Sequence, residues 1–203
     1  MSRWTLGPER SEEAVAALVQ AFAPNDPLRA YLAPDPGERE RLSTMMFRRT
    51  VDTGLEEGRV DAWGDPIVGV AIWLPRPAVE EPGRSAPIGP SPYDEFGPTA
   101  VAGVRKVREV IQRLRVVGRP DRHIYLDEIG VVAEHQRRGI ASALLEAGHA
   151  WADDLGLPCA LEATADATIA FYRGRGYAVI ASQRVPESNF AITTMRREVA
   201  RGS

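Results

Sequence analysis

Apolar residues in the first half of the chain recur mostly at helical spacing, except in short runs that are typical of strands. The predicted elements are a short strand over 3–6, helices over 11–22, 38–57 and 99–117, and strands over 59–63 and 67–74 joined by a Gly64-Asp65 turn. Ser11 is the expected cap of the first helix. The strand 67–74 is apolar throughout, which indicates a central position in a sheet. Prolines break the stretch 25–37, expected to be mostly loop, and the stretch 75–98, expected to be irregular, either ordered or disordered.

The second half of the chain alternates between strand and helix patterns. The predicted elements are strands over 123–132, 159–163, 177–183 and 189–195, and helices over 139–155 and 166–175. Asp166 is the expected cap of the shorter helix. Helical spacing on the longer helix predicts an inward face formed by Ile140, Leu144, Ala147, Trp151 and Leu155.

The strand over 123–132 changes phase along its length. Its apolar positions are Ile124 and Leu126, and then Ile129 and Val131, so the period of two slips by one residue. A β-bulge at Asp127–Glu128 would produce this slip, because one extra residue resets which side faces the core. A strand buried on both faces is the alternative, but two adjacent carboxylates fit it less well.

Composition narrows the class of protein. The chain has 203 residues, 44% hydrophobic and 26% charged, which suits one globular domain over residues 1–203. The net charge of −3 gives no reason to expect nucleic acid or an anionic membrane as partner. A single cysteine, Cys159, suits a reducing cytoplasm, and we expect no metal site. No signal peptide is evident, and no apolar run reaches the roughly 18 residues of a membrane helix.

The segment Gln136-Arg137-Arg138-Gly139-Ile140-Ala141 lies between a predicted strand and a predicted helix. Backbone N–H groups at a helix start, two arginines and small residues would suit a phosphate or pyrophosphate. The alternative interpretation of these residues is an ordinary strand–helix connection with solvated arginines. The segment is neither a Walker loop nor a Rossmann turn, because Gly-Lys-Ser/Thr and G-x-G-x-x-G are both absent.

Here the sequence resembles the GNAT superfamily of acetyl-CoA-dependent N-acetyltransferases. The segment is similar to its Gln/Arg-x-x-Gly-x-Gly/Ala motif, and the flanking order also matches: Ile129-Gly130-Val131 before it, then Leu161-Glu162 and Phe171-Tyr172-x-x-x-Gly176-Tyr177. Ala21-Phe22, Asp26-Pro27, Val70-Ala71-Ile72-Trp73, His135-Gln136 and the spacing from Glu162 to Tyr172 resemble the puromycin N-acetyltransferase-like branch. Ala165-Asp166 stands where many members have an asparagine that contacts the cofactor, and Ala133 replaces the usual proline.

The resemblance implies an α/β (α+β) GNAT fold. Its central sheet would be mixed and mostly antiparallel, with about seven strands splayed between the fourth and fifth and about four or five flanking helices. Residues 1–122 would form the half that determines acceptor specificity, and residues 123–199 the half that binds acetyl-CoA. The resemblance also allows a homodimer, since many members pair through their last strands.

The resemblance further implies roles for individual residues. The backbone of Ile129, Gly130 and Val131 would pair with pantetheine. The pyrophosphate would be held by the residues of the helix start, namely Gln136, Arg137, Arg138, Gly139, Ile140, Ala141 and Ser142. Tyr172 matches the general acid near the sulfur, although it could instead be a core aromatic. For the general base, Glu128 and Glu162 are the two candidates, and either could instead be structural or exposed.

The expected function is transfer of an acetyl group from acetyl-CoA to a primary amine, without a metal. Candidate acceptor-binding residues are Phe22, Asp26, Tyr31, Trp73 and Tyr125, and a place in the core is the alternative for Trp73 and Tyr125. A small-molecule amine is the leading acceptor. A protein or aminoacyl-tRNA acceptor and a degenerate CoA-binding regulator are the alternatives. His123, His135 and His149 are expected at the surface, and Cys159 as a small buried residue.

Overall fold

The computed structural model describes residues 2–23, 26–76, 92–118 and 122–200. The strands are β1 (Arg3–Thr5), β2 (Arg59–Trp63), β3 (Gly69–Arg76), β4 (His123–Val131), β5 (Cys159–Ala163), β6 (Ala178–Arg184) and β7 (Ala191–Arg197). The helices are α1 (Ser11–Phe22), α2 (Pro27–Leu32), α3 (Pro36–Glu57), α4 (Gly97–Gly118), α5 (Ile140–Asp154) and α6 (Asp166–Arg173). No helix in these residues is long and apolar enough to cross a membrane.

All seven strands form one mixed sheet in the order β1-β2-β3-β4-β5-β7-β6. Neighbouring strands are antiparallel except β4 and β5, which run parallel. The first three strands come from the first half of the chain and the other four from the second half. The sheet therefore joins the two halves at the β3–β4 pair and confirms the predicted mixed, mostly antiparallel fold.

Strand β3 is buried on both faces, as its apolar sequence predicts. Val70 and Ile72 pack with α1 and α3 on one face, while Ala71 and Trp73 pack with α5 on the other. This alternation divides the main core into two layers, one on each side of the sheet. A helix that lies over either face is therefore positioned directly against the middle of the sheet.

The predicted bulge in β4 is confirmed. Across the β3–β4 ladder, Ile72 pairs with Glu128 and the next residue, Trp73, pairs with Leu126, so Asp127 is the extra residue. Directly opposite residues share a face of the sheet. Leu126 therefore faces α5 with Trp73, whereas Glu128 faces α1 and α3 with Ile72. An unbulged strand would have placed both residues on the α5 face.

The predicted splay between β4 and β5 follows the bulge. The described register between the two strands covers Ile124 to Leu126 opposite Cys159 to Leu161. Beyond Leu126, β4 continues beside β3 to Val131, while β5 continues beside β7 to Ala163. The two strands thus open into a cleft that starts at Asp127.

The proline-containing stretch 25–37, expected to be mostly loop, contains an additional helix, so the described residues form six α-helices where about four or five were expected. Helix α2 lies within 25–37, and α3 begins at Pro36. Each helix starts with a proline that follows an aspartate, and Asp26 and Asp35 accept hydrogen bonds from backbone N–H groups two or three residues later. Proline fits the first helical position, where no N–H partner exists within the helix.

Two predictions about helix caps were wrong. Ser11 and Asp166 are the first residues of α1 and α6 rather than side-chain caps. Within the stretch 75–98, residues 77–91 lie outside the described residues. The remainder continues β3 to Arg76 and begins α4 at Gly97.

The inward face of α5 differs from the prediction. His149 is buried, with its Nε2 atom 3.0 Å from the Tyr177 hydroxyl, whereas Leu155 is 52% exposed. Gly148 also faces the core, because its missing side chain leaves room for the buried ring of Trp73. Burial lowers the pKa of His149 to about 4, so its ring is neutral near pH 7.

Of the other two histidines, His123 lies in the core and His135 lies in a turn. His123 opens β4 and is only 2% exposed, so the surface prediction was wrong for it as well. Its ring meets the Tyr125 ring edge-on at a centroid distance of 6.4 Å. His135 lies half-buried in the turn between β4 and α5.

We expect Gly148→Ala to destabilise the protein even though alanine is the better helix former. A Cβ atom there would lie 2.0 Å from the Trp73 ring, which is fully buried and cannot move aside. Overpacking of this kind costs about 1–3 kcal/mol, which exceeds the helix gain of about 1 kcal/mol. Urea unfolding measures the change. Gly174→Ala is the control, because its Cβ would meet backbone atoms only at 3.6 Å or more, and an equal loss in both variants would contradict the packing argument.

Candidate functional site

A cavity of about 140 Å³ occupies the cleft between β4 and β5. Its walls come from β4 (126–129), the end of β5 (162–165), α6 (Thr168 and Tyr172) and the α1–α2 connection (Phe22, Asp26 and Pro27). Four of its lining residues carry carboxylates, namely Asp26, Asp127, Glu128 and Glu162. The structure therefore brings together all three predicted catalytic residues and two of the predicted acceptor residues.

Glu128 enters this cavity because of the bulge at Asp127. Its carboxylate accepts a hydrogen bond from Nη2 of Arg29 at 2.8 Å, and its side chain is 18% exposed. Burial raises the pKa of Glu128 to about 7, and the Asp127 charge adds to that rise while Arg29 opposes it. Near neutral pH the carboxylate can therefore both accept and release a proton.

Arg29 is the residue beside the cavity that sequence reasoning missed. Its guanidinium donates to the carboxylates of both Asp26 and Glu128, and its side chain is only 4% exposed. It also lies over the rings of Phe22 and Phe47, at 5.0 and 4.1 Å from their centroids. A usable signal was the Asp-Pro pair that begins α2, since a helix there places Arg29 one turn after Asp26.

Tyr172 lies at the inner wall of the cavity. Its side chain is 4% exposed, and its ring packs at 5.3 Å from Phe171 and 5.5 Å from Tyr177. Burial raises the pKa of Tyr172, and the neighbouring charge of Glu128 raises it further. The phenol is therefore protonated at neutral pH and can donate its proton.

Glu162 faces Glu128 across the cleft and accepts a hydrogen bond from the hydroxyl of Tyr125. Tyr125, expected to bind the acceptor, thus reaches the site through this carboxylate. Trp73 belongs to the core, the alternative given for it above, because its side chain is fully buried. Tyr31 packs against Phe190 and donates to the Pro186 carbonyl at 3.0 Å, so Phe22 and Asp26 are the predicted acceptor residues that line the cavity.

The turn after β4 forms the other end of the cleft. Gln136 donates through its side chain to the Val131 carbonyl at 3.0 Å and closes the turn. Arg137 and Gly139 adopt left-handed backbone angles, with φ of 58° and 81°. Gly139 precedes α5, and no side-chain cap among the described residues occupies that helix start. The first-turn N–H groups are thus available to an anion.

Gly139 stands in open space. A Cβ atom added there would have no neighbour within 4 Å, and the exposed side chains of Arg137 and Arg138 flank it. Along the chain, Ile129–Val131 leads from the cavity wall at Ile129 to this turn and the start of α5. Gly130 allows α1 to approach that strand, because a Cβ would lie 2.9 Å from the Phe22 ring.

Arg175 connects the two helices of the site. Its guanidinium donates to the Ser142 hydroxyl in the first turn of α5 and to the Phe171 carbonyl of α6, the latter at 2.9 Å. It also stacks on the Phe171 ring at 3.6 Å from the centroid. The start of α5 and the residue before Tyr172 are therefore linked by one side chain.

Cys159 is fully buried, as expected, and burial raises the pKa of its thiol to about 11. The thiolate that a nucleophile would require is therefore scarce at neutral pH. Within the described ranges, no group of three or more histidine, cysteine or acidic side chains is arranged to hold a metal ion.

Solved structures similar to this one cover nearly the whole chain. A protein from Corynebacterium glutamicum described as histone acetyltransferase HPA2 and related acetyltransferase is 20% identical, with a TM-score of 0.67 over 100% of this chain and 98% of that one. Arylalkylamine N-acetyltransferase 2 from Aedes aegypti is 13% identical, with a TM-score of 0.69 over 98% of each chain. The ribosomal-protein-S18-alanine N-acetyltransferase from Escherichia coli is 14% identical, with a TM-score of 0.56 over 100% of this chain and 96% of that one.

These likenesses establish the shared fold, and a family model supplies the membership. The model described as the acetyltransferase (GNAT) family matches residues 66–177, which is more than half of the chain. The matched range includes β3, the bulged strand β4, the turn before α5, and the chain onward through α6. The chain therefore belongs to the GNAT family of acetyltransferases.

Proposed function

We propose that this protein transfers an acetyl group from acetyl-CoA to a primary amine of a small molecule, by direct attack within a ternary complex. The observation that carries the proposal is the convergence of Glu128 and Tyr172 on one cavity in the β4–β5 cleft. One side chain titrates near neutral pH and the other holds its proton. Acyl transfer to an amine needs both a proton acceptor and a proton donor.

The residues present fit acetyl-CoA. The edge of β4 at Ile129–Val131, which turns away from β5, would pair with the pantetheine arm. The open helix start at Gly139–Ser142 would hold the pyrophosphate through its N–H groups, with Arg137 and Arg138 beside it. Bound acetyl-CoA supplies the thioester whose acetyl group is transferred.

The chain's own residues handle the protons. An alkylammonium cannot attack a carbonyl, so Glu128 would take a proton from the amine, directly or through water. The amine nitrogen then forms a bond to the thioester carbon and the carbon–sulfur bond breaks. Tyr172 would give its proton to the leaving thiolate, and the second proton, lost by the acylated nitrogen, would restore the Tyr172 phenol. Glu162 is the second candidate base and lies on the opposite wall of the same cavity.

The size and charge of the cavity favour a small cationic acceptor. A volume of about 140 Å³ holds a small amine, and carboxylates line it together with the Phe22 ring. The puromycin N-acetyltransferase-like motifs in the sequence point the same way. An assay of thiol release from acetyl-CoA over a panel of alkylamines, polyamines and peptides tests the proposal. Release with peptides alone would favour the protein-acetylating alternative, and tight acetyl-CoA binding without any release would favour a regulator.

We expect Tyr172→Phe to reduce kcat by about 100-fold, because the variant lacks the proton donor and general acids contribute at least that much. The affinity for acetyl-CoA should change little, since only the hydroxyl is removed. Steady-state kinetics and calorimetric binding measure the two effects. Tyr177→Phe is the matched control, because it removes a hydroxyl from the same aromatic cluster, where that group contacts His149. Wild-type turnover in Tyr172→Phe would end the assignment.

We expect Glu128→Gln to remove the acid limb of the pH profile of kcat/KM. In the wild type, Glu128 is protonated and inactive as a base below its pKa of about 7, so the rate should rise as pH passes through that value. Glutamine cannot titrate, so the variant should be slow and nearly pH-independent in that range. Glu162→Gln is the control. Loss of the limb in that variant, with retention in Glu128→Gln, would make Glu162 the base.

We expect Gly139→Leu to weaken acetyl-CoA binding by at least about tenfold, because its side chain would occupy the space over the α5 start. Gly156→Leu is the control. Both glycines have left-handed φ values, 81° and 65°, and no neighbour within 4 Å of an added Cβ, so both changes carry a similar backbone cost. Calorimetry of acetyl-CoA binding compares the two variants. Unchanged affinity in Gly139→Leu would rule out the pyrophosphate position.

A further inference from the structure

The buried cluster of Asp26, Arg29 and Glu128 holds one cation and two carboxylates beside the cavity. Arg29 is the innermost member, with its side chain 4% exposed, and Asp26 is 6% exposed. Glu128 is the member most open to the cavity, at 18%. With both acids ionised, the cluster carries one negative charge more than it can pair internally, and Glu128 presents that charge to the cavity.

The other groups around Glu128 are acidic or neutral, which makes the positive charge of Arg29 important to that carboxylate. Asp127 on the same strand, Asp26 before α2, and Glu162 on β5 are all acidic, and Tyr172 on α6 is neutral. The facing residue on β3 is Ile72, and the adjoining residue of α1 is Phe22, so neither bears charge. Among these neighbours in the described part of the chain, Arg29 is the cation.

Arg29 is itself held in one place. It belongs to α2, whose start is fixed by the Asp26 side chain through hydrogen bonds to the N–H groups of Leu28 and Arg29 at 2.9 and 3.2 Å. The rings of Phe22 and Phe47 confine the guanidinium from the sides. A guanidinium fixed by a helix cap and two rings can orient a carboxylate that contacts it 99 residues away in sequence.

We propose that Arg29 is a positioning residue that aims Glu128 into the cleft, and that Arg29 and Asp26 together set the pH range in which Glu128 accepts the proton of the acceptor amine. The part about the amine rests on the proposed function. The orienting contact stands on the geometry of the cluster alone.

The two partners should act in opposite directions. Arg29 favours the ionised form of Glu128, so its removal raises the pKa of that carboxyl. Asp26 repels the ionised form and also shares the guanidinium with it, so neutralising Asp26 lowers the pKa. A merely structural cluster would lose stability in both variants without opposite shifts.

The test compares Arg29→Met with Asp26→Asn. Asparagine caps helices about as well as aspartate, so the start of α2 should survive. The acid limb of kcat/KM should move up by about one pH unit or more in Arg29→Met and should move down in Asp26→Asn. Arg29→Lys keeps the charge without the two-pronged contact, and its limb should fall between those of the wild type and Arg29→Met.

A second readout does not depend on activity. The ¹³C resonance of the Glu128 carboxyl, assigned by its loss in Glu128→Gln, reports the titration of that group directly in the acetyl-CoA-free protein. The midpoint of this titration should move to higher pH in Arg29→Met and to lower pH in Asp26→Asn. If these shifts occur in a protein that never releases thiol, the proposed function fails while the role of Arg29 toward Glu128 stands.

Arg48→Met is the matched control, because it removes an arginine paired with Glu12 at a partly exposed site on α3. It should leave both the limb and the resonance unchanged. A Glu128 titration that stays fixed in Arg29→Met and Asp26→Asn, or that moves in the same direction in both, would overturn the proposal. If Arg29→Met does not fold, the opposite shifts of Arg29→Lys and Asp26→Asn decide the same question.

Discussion

The extra residue in β4 is the constraint on which the site depends. Asp127 is the extra residue of β4 at the Ile72–Trp73 step of β3, so the residues after it change faces. Glu128 thereby leaves the α5 side, where Leu126 packs, and meets Arg29 on the other side of the sheet. The pairing with β5 ends at the same point. One inserted residue thus both supplies a carboxylate to the cavity and opens the cleft in which the cavity lies.

The buried charges beside that bulge need an explanation other than folding stability. Burying a guanidinium and two carboxylates costs several kcal/mol in desolvation, and well-packed apolar replacements for such groups are often no less stable. Stacking of Arg29 on two aromatic rings offsets part of the cost. The second carboxylate, which has no cation of its own in the cluster, does not offset this desolvation cost. Such a surplus of negative charge is useful where a proton or a cationic substrate has to enter, and this cluster borders the cavity.

The sequence was informative wherever the signal was local. The apolar run of β3, the phase slip at Asp127 and the turn before α5 each follow from spacing within about ten residues, and the structure contains all three. Proline was an ambiguous signal for secondary structure, because a proline can mark either the end or the first turn of a helix. At Pro27 and Pro36 the preceding aspartate was the deciding residue. The inward face of α5 includes Gly148, which meets Trp73 in a contact that helical periodicity cannot reveal.

The same reasoning explains why the site was predicted in two parts but not as one unit. Separate sequence motifs pointed to the α5 start and to Tyr172. The contact that joins them comes from Arg175, which occupies an unspecified position of the motif that contains Tyr172. Arg175 holds the Ser142 hydroxyl and the carbonyl of Phe171, the residue before Tyr172. Any movement of the first turn of α5 therefore acts on the backbone next to Tyr172. Because closely packed groups shift together rather than as single atoms, the start of α5 and the backbone beside Tyr172 are coupled through the Arg175 side chain.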